Sequence, residues 1–345
     1  MSLRLLISER MVSITSPVRV LDRLLISYEN CMDWNDYTVL FNCTELYLAP
    51  ERNSVYDSIM KTSTQGWMNG LVGVAIFSGS LPATRVAVGG FTPLFLTSAR
   101  AGIAASLAAI LLLLFSRERP VRSDIGSLIL VALGCVIGFP LLTAIALQRI
   151  TSSRSIVFIG LLPLVTAIFG VLRGGERPKS AFWICSILGS LSVAGFALSR
   201  SYGASVTGDL LMIAAILICG LGYSEGAMLS RRLGGWQVIS WALVLAFPFM
   251  LAIALATWPS RWDGISVAAW IGLGYVSVFS MLVGFVFWYR GLALGGIAGV
   301  GQLQLFQPFL GLALAGLLLG EQIAWTMIVV TGFVVLCVAG AKRFA

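Results

Sequence analysis

The sequence predicts an all-α integral membrane protein, with ten transmembrane helices arranged as two inverted five-helix repeats. Three observations predict it. The 345 residues are 58% hydrophobic and 11% charged, against about 25% charged in an ordinary soluble domain. The apolar residues gather into ten runs that reach or nearly reach the roughly 20 helical residues needed to cross a hydrocarbon core about 30 Å thick. Short residue blocks also recur 145 positions apart.

In chain order the runs are Trp67 to Val88, Leu94 to Phe115, Ile125 to Leu147, Ile156 to Leu172 and Ala181 to Leu198. After them come Leu210 to Met228, Trp236 to Trp258, Ile265 to Trp288, Ile297 to Leu319 and Ile323 to Ala341. Each is continuously apolar and several are glycine-rich. That pattern suits helices packed in lipid, whereas a barrel strand alternates polar and apolar residues over about ten positions. The fourth run is the shortest. Pro140, Pro163, Pro248 and Pro308 fall inside runs and remove backbone hydrogen bonds there.

Charge sets the expected orientation. Lys61, Arg117, Arg119, Arg122, Arg173, Arg177, Lys179, Arg231, Arg232, Arg290, Lys342 and Arg343 fall on one side. Arg85, Arg149, Arg154, Arg200 and Arg261 fall on the other. Twelve bases against five place both termini in the cytoplasm. The basic excess is scattered between apolar runs, so it fits an anionic lipid surface and not nucleic acid.

Residues 1–59 stand apart as a non-core leader, with five bases and eight acids and no run long enough to span. Three expectations attach to them: a flexible tail, an amphipathic surface helix from Leu3 to Ile26, or translation that begins at Met60. Residues 60–202 and 203–345 are the two expected repeats. Their matches are Pro163 with Pro308, Glu176 with Glu321 and Gly195 with Gly340, each 145 apart, while Ala146-Leu147 matches Ala293-Leu294 at 147. Five helices per half is an odd number, so the second half enters the membrane from the opposite face.

With these features the chain resembles the EamA family of the drug/metabolite transporter superfamily. The likeness is carried by Phe77-Ser78-Gly79-Ser80, by the spacing from Pro93 to Arg100, and by the paired blocks ending at Glu176 and Glu321, over about residues 66 to 343. The resemblance implies helices around a central cavity, alternating access, and export or uptake of small metabolites. Relatives of the small multidrug resistance type use a glutamate in the first helix, and Trp67 to Val88 contains no acid.

Ionisable residues inside membrane helices call for an explanation, since each costs about 2.5–3.5 kcal/mol at the centre on insertion scales. Glu225 lies six residues before Arg231, hence about 9 Å inside at 1.5 Å per residue. It is the proton-coupling candidate, with a structural ion pair or hydrogen-bonded carboxylic acid as the alternative. Arg85 near the outer end of the first helix is a substrate-binding candidate, or it snorkels to headgroups. Arg100 matches the family's second-helix arginine. Two arginines on one cavity would favour an anionic or zwitterionic solute; otherwise Arg100 ties its helix to neighbouring carbonyls. Gln304 and Gln307 share a helix face and, with Tyr223, complete the expected substrate contacts. Phe285, Trp288 and Tyr289 are further aromatic candidates, although Trp288 is better assigned with Trp67, Trp236, Trp258 and Trp270 to the interfacial belt. Pro163 and Pro308 are the hinge candidates, and Glu176 and Glu321 are expected to cap the helix that follows each.

The absence of histidine excludes imidazole catalysis and His-ligated metal. The six cysteines form no C-x-x-C pair and read as buried small side chains, and no P-loop motif is present. No cofactor and no metal are expected. The expected function is secondary transport of a small metabolite, amino acid-like or organic acid-like, across the cytoplasmic membrane. Efflux is the expected direction, and Glu225 decides between proton coupling and facilitated diffusion. The partners are the small-molecule substrate and the lipid bilayer, as monomer or homodimer. A membrane-embedded enzyme acting on lipid-linked substrates and a non-transporting scaffold are the rival classes.

Overall fold

The computed structural model describes residues 50–116, 118–150, 155, 158–198, 205–319 and 325–345. Met1–Met60 and Lys61–Ala345 form separate compact units. Of the first, residues 50–60 are described and are helical; the surface helix expected over residues 3–26 lies outside the described residues. The second unit carries everything that follows.

Its described elements are helices. They are α1 (Thr62–Ala87), α2 (Pro93–Phe115), α3 (Arg122–Ala146), α4 (Leu162–Leu172), α5 (Ser180–Leu198), α6 (Val206–Leu233), α7 (Gly235–Ala256) and α8 (Val267–Gly295). Last come α9, built from Ile297–Gly301, a 3-10 stretch Gln302–Phe306 and Gln307–Leu319, and α10 (Trp325–Phe344). Six of them, α1, α2, α3, α6, α7 and α8, are long and apolar enough to cross a membrane. The other expected runs hold apolar helices that are shorter, interrupted, or flanked by residues outside the described set.

Local chemistry sets the ends. The Thr92 hydroxyl accepts from Phe95 N at 3.3 Å with Pro93 in the first turn of α2, and the hydroxyls of Ser205 and Ser266 cap α6 and α8 in the same way. Gly234, with φ +82°, and Gly296, with φ +89°, reverse the chain between α6 and α7 and between α8 and α9. A side chain at either position would be strained.

Packing follows the membrane rule that small residues let helices approach. Ala101, Ala104, Ala105 and Ala108 of α2 are buried where it packs on α7, which presents Ala242 and Ala246. Between α1 and α8 the backbones nearly touch, since a Cβ on Gly66 would lie 2.4 Å from Gly295 N and one on Gly291 2.6 Å from Gly70 N. Leu113, Leu114, Phe249 and Leu336 are exposed on surfaces that suit lipid. Trp288 departs from the expected belt: it is fully buried, because α8 turns that face to Phe77 and Tyr223.

Departures from α geometry recur at the repeat spacing. The π-helical stretch Ala132–Gly138 interrupts α3, and Val276–Val283 interrupts α8. Regular α-helix resumes at Phe139 and at Gly284, 145 positions apart. The regular part of α4 begins at Leu162 and that of α9 at Gln307, again 145 apart. Pro163 and Pro308 therefore occupy first turns and not helix interiors. The ring needs no N–H there, and the irregular backbone lies just upstream. Pro248 does lie inside α7.

Candidate functional site

A cavity opens between α1, α2, α3, α4, α6, α8 and α9, with about 620 Å³ of space between atoms, part of it continuous with the outside. On α1 its lining residues, Phe77, Ser80 and Thr84, run from the middle of the helix toward its end, and on α3 they lie in the second half. The cavity thus reaches from mid-bundle toward the face opposite the carboxy terminus.

Its polar pole is built by α1, α2 and α8. Arg100 is 7% exposed. Its terminal nitrogen donates to Ser280 Oγ at 3.4 Å, and its Nε has no partner among the described residues. Ser80 Oγ donates to the same Ser280 Oγ at 2.8 Å. Arg100 takes part in none of the ion pairs seen among the described residues. A buried guanidinium satisfied by one long bond to a hydroxyl keeps most of its donors for a ligand.

The apolar pole is aromatic. Phe77 meets Phe285 edge-on at 5.1 Å between centroids, and Tyr223 lies 6.0 Å from Phe285. Cys135, Phe139, Pro140 and Thr143 of α3 form the facing wall, directly on and after the π stretch. The buried Thr143 hydroxyl has no partner among the described residues.

Helix α1 breaks at Gly79, and the break is held by two side chains. The Tyr275 hydroxyl donates to Ile76 O at 2.7 Å, and Gln307 Nε2 donates to Phe77 O at 3.3 Å. A Cβ on Gly79 would sit 2.4 Å from the Tyr275 oxygen, so a larger residue there would push the Tyr275 hydroxyl from its place at the break. The unwound carbonyls are satisfied from α8 and α9, as irregular backbone at membrane depth requires.

The sequence-predicted residues fall into two groups. Arg100, Tyr223 and Gln307 line the cavity. Gln304 is fully buried near Tyr223, with neither amide atom in a hydrogen bond among the described residues; the 3-10 stretch turns it away from the lining. Arg85 is exposed in the last turn before Ala87 and does not line the cavity. Glu225, fully buried on α6, is gripped by Arg173 at 2.5 Å, with Arg173 half-exposed at the end of α4. Trp288 and Tyr289 are buried behind the wall. Ser280, Thr84 and Thr143 were not singled out from sequence, and Ser80 entered only within the Phe77–Ser80 run, since a lone hydroxyl in an apolar helix more often bonds its own backbone.

A second polar layer lies at the carboxy-terminal face, where Lys179 N donates to Phe344 O at 3.0 Å. The two oxygens of Glu176 accept from Ile297 N and Ala298 N, each at 2.7 Å, and Arg231 stands 3.5 Å from the same carboxylate. Glu176 therefore caps α9 of the other half and not α5, the helix that follows it. Arg232 pairs with Asp124, whose carboxylate also accepts Val121 N at 2.7 Å. With Arg173–Glu225, these contacts tie α3, α4, α6 and α9 together at this face. Glu321, the repeat partner of Glu176, lies outside the described residues.

Comparison with known proteins places these features in context. The model of a family described as the EamA-like transporter family matches twice, over residues 64–198 and 206–341. "Uncharacterized transporter YdeK" of Bacillus subtilis (strain 168) is 62% identical over 286 residues, which cover 83% of this chain and 100% of that protein. "Uncharacterized transporter YyaM" of the same organism is 23% identical over 234 residues, 64% of this chain and 76% of that protein. A protein of known crystal structure shares the fold with a TM-score of 0.69 at 17% identity, covering 81% of this chain and 99% of that one.

Proposed function

We propose that this chain, which belongs to the EamA-like transporter family, exports a small anionic or zwitterionic metabolite, an amino acid or organic acid, through the cavity by alternating access. The observation that carries this reading is Arg100: a buried guanidinium at the wall of a cavity between the two halves, bonded only to Ser280 among the described residues. In a membrane such a charge costs about 2.5–3.5 kcal/mol by insertion scales, and a carboxylate arriving with the substrate offsets that cost by charge-assisted hydrogen bonds.

The chain crosses the cytoplasmic membrane ten times as two inverted five-helix repeats, with both termini in the cytoplasm. Residues 60–202 and 203–345 are the repeats, and 1–59 lie outside them. In that orientation the ion-pair layer is the inner gate, closed here, and the cavity faces outward. Arg100, Tyr223, Gln304 and Gln307 are assigned to substrate, with Gln304 brought to the cavity as α9 straightens. Arg85, exposed at the open end, is assigned to the entrance. Pro163 and Pro308 are the hinges, each at the joint between irregular and regular helix. Coupling is assigned to Glu225: a proton entering from the outer side neutralises it, releases Arg173, frees α4 from α6, and is then given up to the cytoplasm as the pair re-forms.

Flux in proteoliposomes across a panel of carboxylates, amino acids and neutral solutes tests the reading. Saturable flux of a carboxylate-bearing solute is expected, falling at least tenfold in Arg100→Gln. Equal flux in the two proteins would overturn it.

A further inference from the structure

Among the described residues that line the cavity, Arg100 is the one cation and there is no carboxylate. Among the described residues the buried or half-buried acids are engaged elsewhere or lie off the cavity: Glu225 pairs with Arg173, Glu176 with Arg231 and the α9 amides, and Asp124 with Arg232, all at the carboxy-terminal face, while Asp209, half-buried in the first turn of α6, does not line the cavity. A bound solute therefore meets a single positive charge at one pole, beside two serine hydroxyls already bonded to each other. At the other pole it meets the rings of Phe77, Tyr223 and Phe285.

We infer that the site takes small monocarboxylates with an apolar body, and selects them over amino acids of the same skeleton and over dicarboxylates. The inference rests on reading the cavity as the transport site. A carboxylate engages the free donors of Arg100 as a two-point contact and neutralises the guanidinium. An α-ammonium is tied by its own bonds to within a few ångströms of that carboxylate, so it is brought against Arg100, a like charge. It finds no acid there to replace its lost water. Ring faces attract cations, but these rings lie at the pole where the apolar body sits. A second carboxylate fails for the converse reason, since it is carried into the aromatic pole, where no cation waits.

Isothermal titration of the purified full-length protein in detergent with four probes built on one phenyl ring tests this: phenylacetate, phenylglycine, 4-carboxyphenylacetate, whose second carboxylate lies at the far end of the ring, and phenethylamine. Phenylacetate is expected to bind at least tenfold more tightly than the other three. Arg100→Gln is expected to abolish its binding, Arg100→Lys to retain a weakened fraction, and Ser280→Ala to weaken it without changing the order. Gel filtration and circular dichroism establish that each variant is folded, and Ser280→Ala keeps the test open should a variant of Arg100 fail to fold. Phenylglycine binding as tightly as phenylacetate, with both lost in Arg100→Gln, overturns the monocarboxylate selectivity and leaves the transport site standing. Phenylacetate binding unchanged in Arg100→Gln overturns both. Binding of none of the four overturns the selectivity, and Arg100-dependent flux of some other solute would still uphold the transport site.

Discussion

Among the described residues, two charged side chains are buried within membrane helices away from their ends, and the fold treats them in opposite ways. Arg100 keeps a hydroxyl partner and open donors on a cavity wall, while Glu225 is held by a guanidinium that reaches in from the helix end. Because Arg173 is half-exposed, its charge returns to water when Glu225 is changed. Glu225→Gln is therefore expected to lower stability by only about 1–2 kcal/mol. Arg173→Gln strands a buried carboxylate and is expected to be worse, at about 3 kcal/mol. Thermal unfolding of the two variants in detergent checks the order, and the reverse order would count against the pair as described. If proton-gradient-driven flux persists in Glu225→Gln, the coupling assignment fails. Depth alone nominated both residues from sequence. It could not say that one faces a cavity and the other a partner, since Arg173 is 52 positions away from Glu225 and the pairing exists only once α4 lies on α6.

At the scale of elements, the informative features are the irregular ones. The π stretches of α3 and α8 each put a wall of the cavity in place, with Cys135 and Thr143 on or after one, and Ser280 and Phe285 on or after the other. Such bulges insert a residue into an otherwise regular helix and are often found at functional sites. Deleting Val136 removes the inserted residue and should restore α geometry with the segment beyond it kept in phase, so that the widened backbone at Cys135 is lost from the cavity wall. The expected result is a folded, monodisperse protein whose flux falls at least tenfold; normal flux would show that the bulge has no part in the site. The apolar run, with no change in composition between Leu130 and Leu142, gives no sign of where a helix widens. Pro140 hinted at a disturbance, but the structure places it just upstream of the ring. The break at Gly79 was similarly hidden, because it depends on Tyr275 and Gln307, each about 200 or more positions away.

For the molecule as a whole, one face is tied and the other gives onto a cavity. Glu176 holds the first amides of α9 across the boundary between the halves, so any opening of this face must release them. A disulfide between Glu176→Cys and Ile297→Cys, in a background without native cysteines, should stop flux when formed and restore it on reduction. Ligand should still reach the cavity from the other side. Full flux with the crosslink formed would mean that this face does not open during transport.

Sequence alone determined that the chain lives in a membrane as a bundle of apolar helices, because the demand that lipid places on backbone and side chains is written in every run of residues. It also determined the duplication, since repeats are linear correlations that need no folding to be seen, and it pointed to Arg100, whose charge has no reason to lie in a plain lipid-facing helix. Tertiary structure alone decided what those charges meet. It pairs Glu225 with Arg173, sends Glu176 to α9, buries Trp288, leaves Arg85 off the cavity, and adds Ser280 beside Arg100. Partnership across helices depends on rotation about each axis, and one π turn or one broken peptide hydrogen bond resets that rotation without leaving a mark in composition.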